Sequence, residues 1–144
     1  MTLPVLETEY LLALRAEDKK HQAARDILSG AESGEIQGLI IAGSSIIELA
    51  FGLRGKFQRE EIVETLEIIR GVTDPIPISN LDIETLIRGL RMENKIGRPN
   101  LFDCLHASTA LGHDGVIVSS DPFFDSIEEL RRLDFKELLR HPSI

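Results

Sequence analysis

The chain contains one cysteine, Cys104, so no disulfide can form within it and a disulfide-stapled scaffold is excluded. No apolar run approaches the ~18 residues that a membrane-spanning helix requires. The opening MTLPVLETEY has no basic stretch followed by an apolar one, so no secretory signal is expected there. These absences together lead to the expectation of a cytoplasmic protein with no membrane partner. Basic residues are outnumbered: 16 Lys and Arg stand against 24 Asp and Glu, for a formal net charge of −8. Broad, sequence-blind nucleic-acid binding depends on counterion release at a basic surface, and this balance disfavours it. A nuclease stays compatible, because a bound cation and a few local arginines can supply the positive charge. The G-x-S-x-G spacing of a nucleophile elbow is missing around Gly43-Ser44-Ser45. There is no phosphate-cradling glycine loop either, since Gly52 to Gly55 reads as a helix end. With no repeat, low-complexity stretch or long linker, the 144 residues read as one domain spanning 1–144.

Hydrophobic residues make up 42% of the chain, enough to build a core, and they fall into two alternating patterns. Short β-branched runs at Leu3 to Leu6, Leu39 to Ala42, Ile76 to Ile78 and Val116 to Ser119 read as strands. Three- and four-residue apolar spacing predicts helices around Tyr10 to Leu14, Ala23 to Leu28, Ile46 to Leu53, Ile62 to Ile69, Ile83 to Leu90 and Leu101 to Leu111. Strand and helix in alternation predict an α/β fold, a parallel sheet of four or five strands with helices on both faces. Gly30, Gly34 and Gly71 are expected to close helices, and Pro75 and Pro77 make the third strand short or peripheral. The end, RRLDFKELLRHPSI, reads as a small edge strand or turn followed by a terminal helix.

Four acids sit alone in apolar or small-residue runs: Glu7, Glu48, Asp103 and Asp121. Each has an ordinary explanation as a helix-terminus residue. Ser45-Ile46-Ile47-Glu48 has the form of a capping box, and Asn100 can cap a helix whose first turn holds Asp103. Asp121 before Pro122 is a common N-cap pair, and Glu7 can cap the helix that follows it. Yet all four fall where a strand hands over to a helix. In an open α/β sheet those positions share one edge, where ligands bind. Four carboxylates meeting there repel unless a cation is present. Hard oxygen donors without nearby His or Cys ligands favour Mg²⁺ or Mn²⁺ over zinc. His106, three residues after Asp103, and Cys104 are expected to be packed rather than ligating. Arg88, Arg91, Lys95 and Arg98 recur at helical spacing before Asp103, either as a substrate-contacting face beside the crevice or as a solvated helix face.

The segment LFDCLHASTALGHDGVIVSSDPFFDSI resembles the PIN-domain nucleases, and in particular the small VapC-type toxin ribonucleases. It looks like their run of aspartate, two residues, His-Ala, helix, apolar strand and Ser-x-Asp-x-x-Phe-Asp. SSIIELAFGL resembles their serine-started helix with a second acid, and LETEYLLALRAEDKKHQAA their opening strand, acid-Thr turn and leucine-rich helix. The resemblance implies a Mg²⁺- or Mn²⁺-dependent endoribonuclease. Glu7, Glu48, Asp103 and Asp121 would be catalytic metal ligands, with Asp125 as an accessory acid. Thr8 and Ser119 would be hydrogen-bonding groups behind them. It also implies an RNA substrate, a homodimer and, for toxin members, a small antitoxin protein. The family usually has Asp-Thr where this chain has Glu7-Thr8. A non-cleaving PIN-fold module that binds RNA or protein, and a metal-dependent phosphohydrolase acting on small phosphate compounds, stay open as alternatives.

Overall fold

A computed structural model describes residues 3–140. Its centre is a four-stranded parallel sheet formed by β1 (Val5–Leu6), β2 (Ile40–Ile41), β3 (Val116–Val118) and β4 (Arg131–Leu133), in the order β2-β1-β3-β4. All four strands are short, and the two central ones are interior: Val5, Leu6, Ile117 and Val118 have no exposed surface. Consecutive residues of a strand point to opposite faces, and the two cores follow that rule. Leu6 and Val118 join Tyr10, Ile27, Ile41, Phe135 and Leu138 on one face. Val5 and Ile117 join Ala107, Ala110, Phe124 and Leu130 on the other.

The first face is covered by α1 (Thr8–Ala13), α2 (His21–Ser33) and α7 (Phe135–Arg140). The second is covered by α6 (Leu101–Leu111) and a 3₁₀ turn at Pro122–Ser126. α3 (Gly43–Arg54), α4 (Arg59–Thr73) and α5 (Ile83–Ile96) complete the layers. α5 packs closely on α6 at Gly89, where an added Cβ would stand 2.8 Å from the Leu105 side chain.

The chain leaves β1 towards β2 on one side and later returns to β3 on the other. That reversal opens a crevice beyond the carboxyl ends of β1 and β3, the place where open α/β sheets bind ligands. Glu7 follows β1 directly, and Ser119 to Asp121 follow β3. The expected α/β architecture is therefore present, with four strands.

Local details differ from the sequence reading. Pro77 and Ser79 hydrogen-bond across Ile41 at the sheet edge, so the expected Ile76–Ile78 strand is reduced to one bridge between Ile41 and Ile78. Gly30 is buried inside α2, which ends at Gly34 in a left-handed conformation, φ 84°. Gly71 lies within α4, which continues to Thr73. The Ser45–Glu48 capping box does not form. α3 begins three residues earlier, with Ala42 in place of Ser45 as the N-cap residue, and the Ser45 hydroxyl donates to the Ala42 carbonyl. The early start depends on Gly43, where any Cβ would collide with the Ser79 carbonyl oxygen. Asn100 precedes α6 without bonding its backbone N–H groups.

Candidate metal centre

Glu7 ends β1 and caps α1, its carboxylate accepting the Glu9 backbone N–H. The side chain is buried. Burial pushes its carboxyl from 4.5 up to about 7; the Glu9 amide and His106 oppose the rise, while the charges of Glu9 and Glu48 add to it. Thr8, the first residue of α1, donates its hydroxyl to Glu48 across the crevice. Glu48, one turn into α3, also meets His106, with Nε2 3.0 Å from Oε1. Partial burial works to raise the Glu48 carboxyl, but the His106 and Thr8 hydrogen bonds outweigh it and hold the group below its ordinary value.

His106 is the hub of this arrangement. It has no exposed surface, and its Nδ1 lies 2.7 Å from the Ser44 hydroxyl at the start of α3. A carboxylate can only accept, so the Nε2 facing Glu48 carries the proton, and the Ser44 hydroxyl satisfies Nδ1. His106 is buried as expected, and the structure adds polar partners on both ring nitrogens; one of these nitrogens and single carboxylate oxygens of Glu7 and Asp103 all lie within 4.8 Å of one another. The Asp103–His106 spacing, one turn on a helix, was the available signal. Ser44 was missed as a functional residue, although it lies in the first turn of the helix that follows β2.

Asp103 sits half-buried in the first turn of α6. Burial raises its carboxyl; His106 opposes this, while the charges of Asp121 and Glu48 reinforce it. Asp121 is exposed and caps the 3₁₀ turn by accepting the Phe123 N–H at 2.9 Å. The buried Ser119 hydroxyl accepts the Asp121 N–H at 3.0 Å and so fixes that turn. Asp125 is turned to Arg132, whose guanidinium contacts both of its carboxylate oxygens at 3.0 Å.

Glu7, Thr8, Glu48, Ser119 and Asp121 line one cleft of about 460 Å³, with Glu9, Lys19 and Lys20 at its rim. Arg88, Arg91, Lys95 and Arg98 do not line it. Arg88 donates to the Ser108 carbonyl at 2.7 Å and is held against α6, while Arg91, Lys95 and Arg98 are exposed. Cys104 is buried, and burial with the neighbouring Glu93 and Asp103 charges pushes its thiol up to about 11, which leaves it inert. The donor set fits a hard divalent cation. Buried carboxylates with raised proton affinity, crowded by further acids, are what such a charge would relieve.

A PIN domain family model matches residues 5–130. The chain belongs to the PIN domain family. This PIN domain also superposes on solved structures of toxin–antitoxin proteins. VapBC2 from Rickettsia felis, solved with a DNA fragment from its promoter, gives a TM-score of 0.66 at 18% identity, over 91% of this chain and 97% of that one. VapBC-1 from nontypeable Haemophilus influenzae gives 0.64 at 18% identity, covering 92% and 98%. VapC20 of Mycobacterium tuberculosis, a sarcin-ricin loop cleaving toxin, gives 0.61 at 12% identity, covering 85% and 93%. At these identities the likeness is one of fold. No match was found among curated protein sequences. No helix among the described residues is long and apolar enough to cross a membrane.

Proposed function

We propose that this PIN domain is a Mg²⁺- or Mn²⁺-dependent endoribonuclease of the VapC toxin type. The observation that carries the reading is the meeting of Glu7, Asp103 and the Glu48–His106 pair at the carboxyl edge of a PIN-family sheet. Glu7, Glu48, Asp103 and Asp121 would hold the cation, with Asp125 as the more distant acid. A divalent ion there supplies an activated water and offsets charge on the phosphoryl oxygens. The protein's own part is to orient. His106 and Thr8 fix the Glu48 carboxylate, Ser119 fixes the turn that carries Asp121, and the Glu9 amide fixes Glu7.

The fold relatives solved as toxin–antitoxin complexes support an antitoxin partner. The surface supports partners too: Ile83 and Ile68 are about two-thirds exposed (68% and 66%), and Phe51 packs beside Phe102 at 6.2 Å between ring centroids on an open face. A homodimer, as is usual for small PIN proteins, would cover part of it. Sedimentation of the purified chain, alone and with any co-expressed partner, tests both assemblies.

The deciding experiment incubates the purified protein with labelled structured RNA in Mg²⁺, Mn²⁺ or EDTA, with Asp103→Asn as the control. Cleavage is expected with metal only, from the parent only, with small phosphate esters untouched. A parent that cleaves no RNA in Mn²⁺ overturns the reading. One observation favours a second reading, a non-cleaving binding module: Glu7, a methylene longer than the aspartate usual in the family, stands at the first acidic position.

A further inference from the structure

One cation at this cleft is built in rather than left loose. Lys20, immediately before α2, has its ammonium 3.0 Å from Glu9 Oε2 and 2.8 Å from the Ser120 hydroxyl. Glu9 is in turn fixed by Ser120, whose backbone N–H donates to Oε1 at 3.0 Å and whose hydroxyl meets Oε2. The three residues come from the first turn of α1, the α1–α2 loop and the loop after β3, and Glu9 and Lys20 line the cleft.

An ammonium has three donors. Glu9 and Ser120 take two from Lys20, and the third has no protein acceptor among the described residues. The side chain is 33% exposed and lines the cleft, so that donor is open to solvent there. A free surface lysine must give up rotamer freedom to bind a ligand, whereas this one has already given it up. Both Glu9 oxygens are engaged, which makes Glu9 a mount for the ammonium and not a metal donor. The need is evident from charge. Glu7, Asp18, Glu48 and Asp121 line the same cleft, and among the described residues Lys19 and Lys20 are its only basic lining residues.

We propose that Lys20 is a substrate-positioning residue whose remaining N–H donates to a non-bridging phosphate oxygen of the RNA strand beside the cleaved linkage. This rests on the ribonuclease reading above. The competing role is a latch that ties α1 to the loop after β3 without touching RNA.

The test compares Lys20→Met, Lys20→Arg and Glu9→Gln with the parent in two assays. The first is steady-state cleavage of a structured RNA in Mn²⁺. The second is fluorescence anisotropy of a labelled single-stranded RNA of mixed sequence, in an Asp103→Asn background, across a salt series. Lys20→Met is expected to raise KM and weaken binding roughly tenfold with kcat nearly kept, and Lys20→Arg to recover most of the loss. Losing one phosphate contact should lower the slope of log affinity against log salt by about 0.7 in Lys20→Met, with Glu9→Gln keeping the parent's slope. An unchanged KM and slope in Lys20→Met overturns the proposal. So does a fall of kcat and Tm shared by Lys20→Met and Glu9→Gln with the slope unmoved, which is the latch's signature. Cleavage by the parent together with Lys20-independent binding removes this inference alone. Binding with the Lys20-dependent slope but no cleavage removes the nuclease reading and keeps the phosphate contact.

Discussion

The Nε2 of His106 lies 3.0 Å from Oε1 of Glu48, joining α6 to α3 across the crevice, and Ser44 holds the far side of the same ring at 2.7 Å. A ring tied at both nitrogens fixes the carboxylate it faces, and losing it opens a cavity, leaves the buried Ser44 hydroxyl without this partner and leaves Glu48 held by Thr8. His106→Ala is therefore expected to destabilise the protein by about 3 kcal/mol in urea melts and to lower cleavage at least tenfold. Ser44→Ala removes one neutral hydrogen bond and should cost ~1 kcal/mol. Equal, small losses in both variants would show that the ring only fills space.

Glu7 makes stability depend on pH in a stated direction. Its carboxyl titrates near 4.5 when unfolded and at about 7 when folded, so the folded state prefers it protonated. Its contribution is complete below pH 4.5, falls as pH rises, and is gone above about 7. Without metal that amounts to about 3 kcal/mol across the window. Glu7→Gln should flatten this part of the profile, and Mn²⁺ should stabilise the parent more at pH 8 than at pH 6, because proton and cation compete for one group. Thermal melts from pH 5 to 8, with Mn²⁺ or EDTA, check both. A parent profile identical to that of Glu7→Gln would refute the assignment.

Part of this site could be read from the chain because a parallel sheet sends all strand ends to one edge, and Glu7 and Asp121 follow β1 and β3. Asp103 was expected at such a junction too, but α6 follows α5 with no strand between them, so its position depends on how α6 packs on the sheet. Ser45 and Glu48 show where local rules fail. Their spacing satisfies a capping box, but Gly43 lets the backbone approach Ser79 closely, α3 starts earlier, and Glu48 turns to Thr8 and His106. The hydrogen-bonding role of the buried His106 was hidden for a related reason. A lone histidine on an apolar helix looks like packing until Ser44 and Glu48 arrive from a segment about sixty residues away. The basic residues Arg88 to Arg98 share a helix, but only the packing of α5 on α6 reveals that Arg88 is spent on Ser108.

Asp103→Asn should abolish cleavage while leaving the metal-free fold as stable as before or more so. Burial and the charges of Asp121 and Glu48 already raise this carboxyl, so removing its charge relieves both costs. A residue that only capped a helix would cost ~1 kcal/mol when replaced. Melting curves in EDTA separate the two cases, and a clear drop in Tm would favour the cap.

Tyr10 offers a test of the core that is independent of the site. Its ring is fully buried against Phe135, edge to face at 6.2 Å, and its hydroxyl has no hydrogen-bond partner among the described residues. Tyr10→Phe keeps the packing and removes a polar atom that was desolvated without return, so stability should hold or rise by about 1 kcal/mol in denaturant titrations. A loss of that size would mean that the hydroxyl has a partner in solution.

Asp125 and Arg132 decide how far the metal site extends. Arg132 contacts both Asp125 oxygens at 3.0 Å and also donates to the Ser119 carbonyl at 3.2 Å, so one guanidinium braces the loop that carries Asp121. A carboxylate held in this way has little to offer a cation unless the arginine swings aside. Asp125→Asn should then change Mn²⁺ affinity by less than about twofold, whereas Asp103→Asn should weaken it at least tenfold. Arg132→Ala separates bracing from ligation further. If Arg132 only restrains Asp125, its loss frees a ligand and Mn²⁺ binding tightens; if it braces the Asp121 turn, binding weakens and the Tm falls. The hydrogen bond to Ser119, which itself fixes the Asp121 amide, favours the second outcome. Calorimetric Mn²⁺ titrations of the three variants would measure it, and tighter binding by Arg132→Ala would return Asp125 to the ligand set.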